Sequence, residues 1–289
     1  LVRDDFRFVE SLGIENGWVA DHFAVDGAGD MAILEPWTLL AAVATETERI
    51  RIGTMVTNVA TRNIGMLAKG ILTVDQISNG RVDLGLGAGF YPGEHLALGI
   101  DFLDPRGRSE RLREAVEILD RALRGEHVTY QGSHFRLVDA PFHPQPTQRH
   151  RPPLWVAAQG TASLQIAARH ADAVVCLGEA GKGIEDSLSG FRRRMARLDQ
   201  LCAAEGRDPG SLRRCYFAGW ADEPIFESSD ASADFIGRYV EAGATDFTFR
   251  LHNPAAPPGY EHALASHRIA TRAQFESLVA DVFPAFTKP

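Results

Sequence analysis

The sequence predicts an α/β protein, a TIM-type (β/α)8 barrel with insertions at the C-terminal ends of its strands. Three observations predict it. Short β-branched or apolar runs alternate with segments whose apolar residues recur at helical spacing. The connections between successive runs are long enough for helical crossovers, which implies parallel strands. The length, 289 residues, suits one barrel domain. Residues 1–289 are therefore expected to form a single domain, with an insertion over about residues 125–153.

The elements follow in order. The amphipathic "DDFRFVESLG" precedes "GWVADHF" (Gly17–Phe23), a short buried strand. "EPWTLLAAVATETE" is a helix with Leu39, Leu40 and Val43 on its apolar face, and Arg49–Val59 is rich in strand formers. Leu67, Ile71, Val74 and Ile77 mark a helix over about Ile64–Ser78, which the Asn79-Gly80 pair ends as a left-handed cap. "RVDLGLGAGFYPGE" (Arg81–Glu94) supplies the next strand. Pro105 starts what is expected to be the longest helix, reaching Arg124, with Leu112, Ala115, Val116, Leu119 and Leu123 in one stripe.

Beyond it, "HVTYQGSHFRL" reads as a hairpin turning at Gln131-Gly132, followed by the extended "PFHPQPTQRHRPP". Three more strand-then-helix pairs follow, in "PPLWVAAQG", "DAVVCLG" and "RRCYFAGW". "TDFTFRLH" is the last strand, His252–His267 is a long loop, and a terminal helix spans about Thr271–Val282. That makes seven strands, one short of a closed barrel, and the missing first strand is expected in a part of a longer chain that precedes Leu1. The insertion and the late loop are either covers for a pocket or plain surface excursions.

Composition narrows the function. The formal net charge of −8 gives no global basic field for nucleic acid or a membrane surface. No apolar run approaches the roughly 18 residues of a membrane helix. Cys176, Cys202 and Cys215 are scattered and odd in number, which argues against a disulfide framework and for a reducing, cytoplasmic setting. His134, His143 and His150 lack metal-ligand spacing, so no metal site is expected. There is no Gly-x-Ser-x-Gly elbow for hydrolysis.

The glycines of Arg81–Glu94 look at first like a dinucleotide fingerprint. Gly85 and Gly87 would put the third glycine at Phe90, far too bulky for that turn, and Pro92-Gly93 follow where a phosphate-facing helix should begin. In a barrel the same glycines clear side chains from a strand end, so that a flat ligand lies against backbone. A packed bend without ligand uses them equally well.

Other strand ends carry polar groups. Asp21-His22 ends one strand, where barrel enzymes keep their chemistry. A histidine trades protons near neutrality and a carboxylate beside it can fix its tautomer, although a capping or core hydrogen bond uses the same pair. Thr57, Asn58 and Arg62 lie at the next end. Gln159, Gly160 and Thr161 precede a helix whose N-terminus suits a phosphate, or which Thr161 simply caps.

These segments, in this order and spacing from about residue 5 to 210, resemble the bacterial luciferase-like flavin and deazaflavin oxidoreductases. The resemblance implies a flavin-type ring across the strand ends at Asp21-His22, at Met55, Val56 and Asn58, and at Gly87, Ala88 and Gly89. It places the phosphate near Gln159-Gly160-Thr161 and Leu177-Gly178, and a non-prolyl cis bond near Met55-Val56. Asp21-His22-Phe23 is similar to the branch that uses coenzyme F420 rather than the FMN monooxygenases, which more often carry Glu-His-His there. The expectation is an F420-dependent oxidoreductase passing a hydride to or from a small organic molecule, working as a homodimer. His22 would move the proton with Asp21 orienting it, and Phe90 and Tyr91 would shape an apolar substrate side. Phe90 and the neighbourhood of Val25 replace an acid and a tryptophan of the F420-dependent glucose-6-phosphate dehydrogenases, so that sugar phosphate is not carried over. The alternatives are an FMN monooxygenase using oxygen and a non-catalytic flavin- or deazaflavin-binding protein.

Overall fold

Burial of every side chain along one short strand organises the first half of the chain. A computed structural model describes residues 2–23, 32–251 and 269–286. They fall into two units, Leu1–Ala157 with Arg169–Asp172, and Ala158–Ala168 with Ala173–Pro289. The first contains α1 (Val2–Ser11), β1 (Asn16–Val19), α2 (Pro36–Glu46), β2 (Arg51–Asn58), α3 (Ile64–Ile77), β3 (Val82–Gly87), α4 (Pro92–Ala97), α5 (Pro105–Ala122), β4 (His127–Gln131), β5 (Arg136–Pro141) and β6 (Leu154–Ala157). Its sheet is parallel, in the order β1-β2-β3-β6. β3 lies between β2 and β6 and is buried throughout, as the run Val82-Asp83-Leu84-Gly85-Leu86 allows.

Ile52, Ile71, Leu72, Leu84, Leu86, Leu112 and Leu119 are at most 1% exposed. Each such side chain contributes about 1.5–3 kcal/mol by leaving water. At the N-terminal ends of the strands, Arg51 Nε donates to both oxygens of buried Asp83, at 3.0 and 3.1 Å. That end is fixed for stability, which leaves the opposite end for chemistry. Helix starts are capped as their sequences allow. Asn63 accepts from the amides of Gly65 and Met66, and Asp104, before Pro105, accepts from that of Gly107. Asn79 and Gly80 both have positive φ and close α3, as expected.

The insertion contains the expected antiparallel hairpin, β4 with β5, turning over residues 132–135. Its turn is held by one buried carboxylate: Glu114 of α5 accepts from the amides of Ser133, His134 and Phe135 at 2.7, 2.9 and 3.1 Å. Lys69 and Gln76 of α3 donate to the carbonyls of His143 and Gln145. The insertion is thus tied to α5 and α3.

The second unit contains α6 (Thr161–His170) as far as Ala168, β7 (Ala173–Leu177), α7 (Ile184–Ala204), β8 (Arg213–Phe217), α8 (Ser229–Glu241), β9 (Asp246–Thr248), β10 (Arg250–Leu251), β11 (Ile269–Ala270) and α9 (Arg272–Ser277). β7, β8 and β9 are parallel neighbours. Tyr216 and Tyr239 stack at 3.9 Å in its core, and both hydroxyls donate to buried Glu223.

Four expectations change. The strand expected over Gly17–Phe23 stops at Val19, so Asp21-His22 lie in the segment after it. The helix from Pro105 has 18 residues, while Ile184–Ala204 has 21. The terminal helix is α-helical only to Ser277, then widens to a π-helical turn through Val282. "PGEHLA", not expected to be helical, forms α4, with Pro92 in its first turn. The loop His252–His267 and the position of Val25 lie outside the described residues.

Candidate active site

The C-terminal ends of β1, β2 and β3 gather the polar residues of the first unit. Asp21, 2% exposed, follows β1 and is bound from two directions. Arg62 Nη1 and Nη2 donate to its two oxygens at 2.6 and 2.9 Å, and the amide of Asn58 donates to Oδ2 at 3.0 Å. Burial raises the pKa of Asp21, against the pull of Arg62 and the Asn58 amide. Arg62 also donates through Nε to Glu35, the N-cap of α2, at 3.2 Å, and its guanidinium lies 5.1 Å from the centre of the Phe23 ring.

The geometry corrects the role expected of Asp21. Its carboxylate is taken up by Arg62 and Asn58, and the carboxylate at His22 is that of Glu94, with Oε2 3.3 Å from Nδ1. Oε1 of Glu94 accepts the amide of Phe23. Glu94 is 1% exposed, whereas the His22 side chain is 29% exposed. The rings of Phe90 and Tyr91 stand edge-on to the imidazole, at 5.7 and 6.3 Å between centroids. Phe90 is 59% exposed and forms an apolar ledge next to the histidine.

His95, beside Glu94, is fully buried and grips a different strand. Its Nδ1 faces the carbonyl of Asp101 at 3.3 Å, so that nitrogen carries the proton, and Nε2 accepts from Asn58 Nδ2 at 2.9 Å. Asn58 Oδ1 accepts the amide of Ala60, which fixes the orientation of the Asn58 side-chain amide. α4 therefore holds the segment after β1 through one residue and the end of β2 through the next.

Met55 and Val56 lie where β2 carries an extra residue against β3, between Thr54 and Thr57, and the bond joining them is cis. Val56 accounts for one glycine of β3. A Cβ on Gly87 would stand 2.5 Å from Val56 Cγ2. Gly89 has φ +76°, and a Cβ there would stand 2.7 Å from Asn58 Oδ1. Two of the glycines expected to admit a ring are thus already required by neighbouring side chains. The end of β3 still carries no large side chain, since Ala88 and Gly89 are both partly exposed. Arg108 Nη1 donates to the carbonyl of Gly89 at 2.7 Å.

In the second unit, Gln159-Gly160-Thr161 leads into α6, with all three residues exposed. Nothing lies within 4 Å of the place a Cβ would take on Gly160. Gln159 Nε2 donates to the carbonyl of Leu177 at 3.4 Å, which joins this turn to the Leu177-Gly178 end of β7. Arg194 donates to the same carbonyl at 2.9 Å. Open space at the start of α6 fits an anionic group such as a phosphate. In the first unit, the small and partly exposed Ala88 and Gly89 fit a flat ring.

The sequence reading named His22, Asn58, Phe90 and Tyr91 and placed Arg62 at a strand end, but it missed Glu94, His95 and Arg108. For Glu94 and His95 the signal was present: a Glu-His pair directly after Pro92-Gly93, in an otherwise apolar stretch. Among the described residues, no group of three or more His, Cys, Asp or Glu could hold a metal ion, and no helix is long and apolar enough to cross a membrane.

Comparison with known proteins adds to this geometry. The family model of luciferase-like monooxygenases matches residues 2–277. An F420-dependent glucose-6-phosphate dehydrogenase of Kineococcus radiotolerans is 34% identical over 211 residues, 71% of this chain and 59% of that protein. A 5,10-methylenetetrahydromethanopterin reductase of Methanolobus tindarius is 26% identical over 267 residues, 90% of this chain and 73% of that protein. The F420-dependent tetrahydromethanopterin reductase of Methanopyrus kandleri has a similar fold, with TM-score 0.76 at 18% identity, over 99% of this chain and 95% of that one. The chain spans less than two thirds of the length of the dehydrogenases it matches.

Proposed function

We propose that this chain, which belongs to the luciferase-like monooxygenase family, is an F420-dependent oxidoreductase that exchanges a hydride with a small, largely apolar organic substrate. Its fold on this reading is one (β/α)8 barrel domain. The observation that carries the proposal is the cluster after β1, where a part-exposed histidine is backed by a buried carboxylate and flanked by an exposed aromatic ledge. Relatives named for F420 support the choice of cofactor.

The chemistry supplied by bound F420 is the acceptance or return of a hydride, two electrons with one hydrogen nucleus. His22 handles the proton that accompanies it, taking it when the substrate is oxidised and giving it back when the substrate is reduced. Val56, Ala88 and Gly89 would bear the flat ring; within the second unit, the turns at Gln159-Gly160-Thr161 and Leu177-Gly178 would suit an anionic group such as a phosphate. Phe90 and Tyr91 make the substrate side apolar. Phe90, exposed and edge-on to His22, favours an apolar molecule over a sugar phosphate.

Titration of the purified protein with F420 and with FMN, followed by fluorescence quenching, tests the cofactor. The expected result is tighter binding of F420. Preference for FMN would overturn the proposal in favour of a flavin monooxygenase.

A further inference from the structure

We infer that Glu94 is the positioning residue of the site: it keeps the His22 proton on Nδ1 and so leaves the lone pair on Nε2 as the nitrogen that acts. The inference rests on the proposed role of His22, and it adds a residue outside the strand-end segments that suggested that role.

A carboxylate only accepts hydrogen bonds, so the His22 nitrogen facing Glu94 Oε2 must be the donor. The other oxygen of Glu94 accepts the amide of Phe23, the residue after His22. The carboxylate is thus bonded both to the imidazole and to the backbone that carries it. Its own position is fixed as well. Pro92 starts α4, Glu94 sits in the first turn, and the bond from Asn58 to His95 anchors that turn to β2. Phe90 and Tyr91, edge-on to the imidazole, limit its rotation. Nε2 is then basic in the neutral ring, and when it takes up a proton the resulting cation is stabilised through Nδ1–H and the buried carboxylate.

The tautomer can be read without substrate or cofactor. In long-range 1H–15N NMR of the protein labelled at histidine, neutral His22 is expected to carry its proton on Nδ1. In Glu94→Gln the side-chain oxygen remains with the Phe23 amide and the NH2 group turns to Nδ1, which moves the proton to Nε2. The rate of acylation of His22 by diethylpyrocarbonate, followed by mass spectrometry, should fall at least about tenfold in the same variant, because the free lone pair is then covered. Glu94→Asp, which keeps an acceptor, should retain the Nδ1–H form.

A wild-type His22 protonated on Nε2 overturns the inference without any variant. So does a Glu94→Gln protein that keeps both the Nδ1–H form and the wild-type acylation rate. The proposed function fails separately, if F420 does not bind while the tautomer behaves as described.

Discussion

Arg62 holds both carboxylate oxygens of Asp21, at 2.6 and 2.9 Å, and through them ties the segment after β1 to the loop after β2. The Asn58 amide shares one of those oxygens. Asp21 is thereby an anchor of the segment that carries His22, the residue proposed to move the proton. Arg62→Met leaves a buried carboxylate without its counter-charge and should cost about 3–5 kcal/mol of stability. Asp21→Asn combined with Arg62→Met should cost less than Arg62→Met alone. Urea denaturation checks both, and equal losses in the two proteins would remove the pair from this role.

Val56 and Gly87 form a second interlocking pair. Gly87→Ala would put a methyl group 2.5 Å from Val56 Cγ2 and should destabilise by about 1–3 kcal/mol. Val56→Ala in the same chain opens the space and should recover most of that loss. A double-mutant cycle on thermal unfolding reads the coupling. Strict additivity would mean that the strand end yields in some other way.

Replacement of His22 separates proton transfer from binding. His22→Asn should lower turnover by about 10²–10⁴-fold while F420 affinity stays within a few-fold. Single-turnover oxidation of reduced F420, once a substrate has been found in a panel of apolar ketones and imines, gives the rate. A wild-type rate would take His22 out of the chemistry.

Asp120 makes stability depend on acid. Burial alone would raise its pKa, but the His170 imidazole 3.8 Å away, the hydrogen bond from Arg151 and the charges of Arg151 and Arg124 hold the carboxyl far below the usual range. A folded-state pKa below the unfolded one gives stability that is complete above about pH 4 and drains away as the pH falls further. Asp120→Asn should therefore unfold more easily at pH 7 and lose less than wild type between pH 5 and pH 3. Urea midpoints across that range measure it, and parallel pH dependences in the two proteins would contradict it.

The regular elements were readable because their signals are local. Helical spacing in Leu67, Ile71, Val74 and Ile77 and the Asn79-Gly80 cap locate α3 almost to the residue. Gln131-Gly132 marks the hairpin, but nothing in that stretch shows that Glu114 of the preceding helix would hold its turn. The site divides in the same way. His22 was visible because it ends an apolar run. Its partner was not, because Asp21 is adjacent in sequence and Glu94 is 72 residues away. Asp21 turns to Arg62 and the Asn58 amide while His22 meets Glu94, so nearness along the chain pointed to the wrong carboxylate.

Surface loops ordinarily accept insertions and deletions. The six residues from Gly89 to Glu94 cannot. Glu94 and His95 are consecutive, and one reaches the segment after β1 while the other reaches the end of β2. Gain or loss of one residue before them would turn the start of α4 by about 100° and bring the wrong side chain to each strand. The length of this segment is therefore constrained more tightly than its composition, and among relatives it should tolerate substitution at Gly93 far better than a change in spacing.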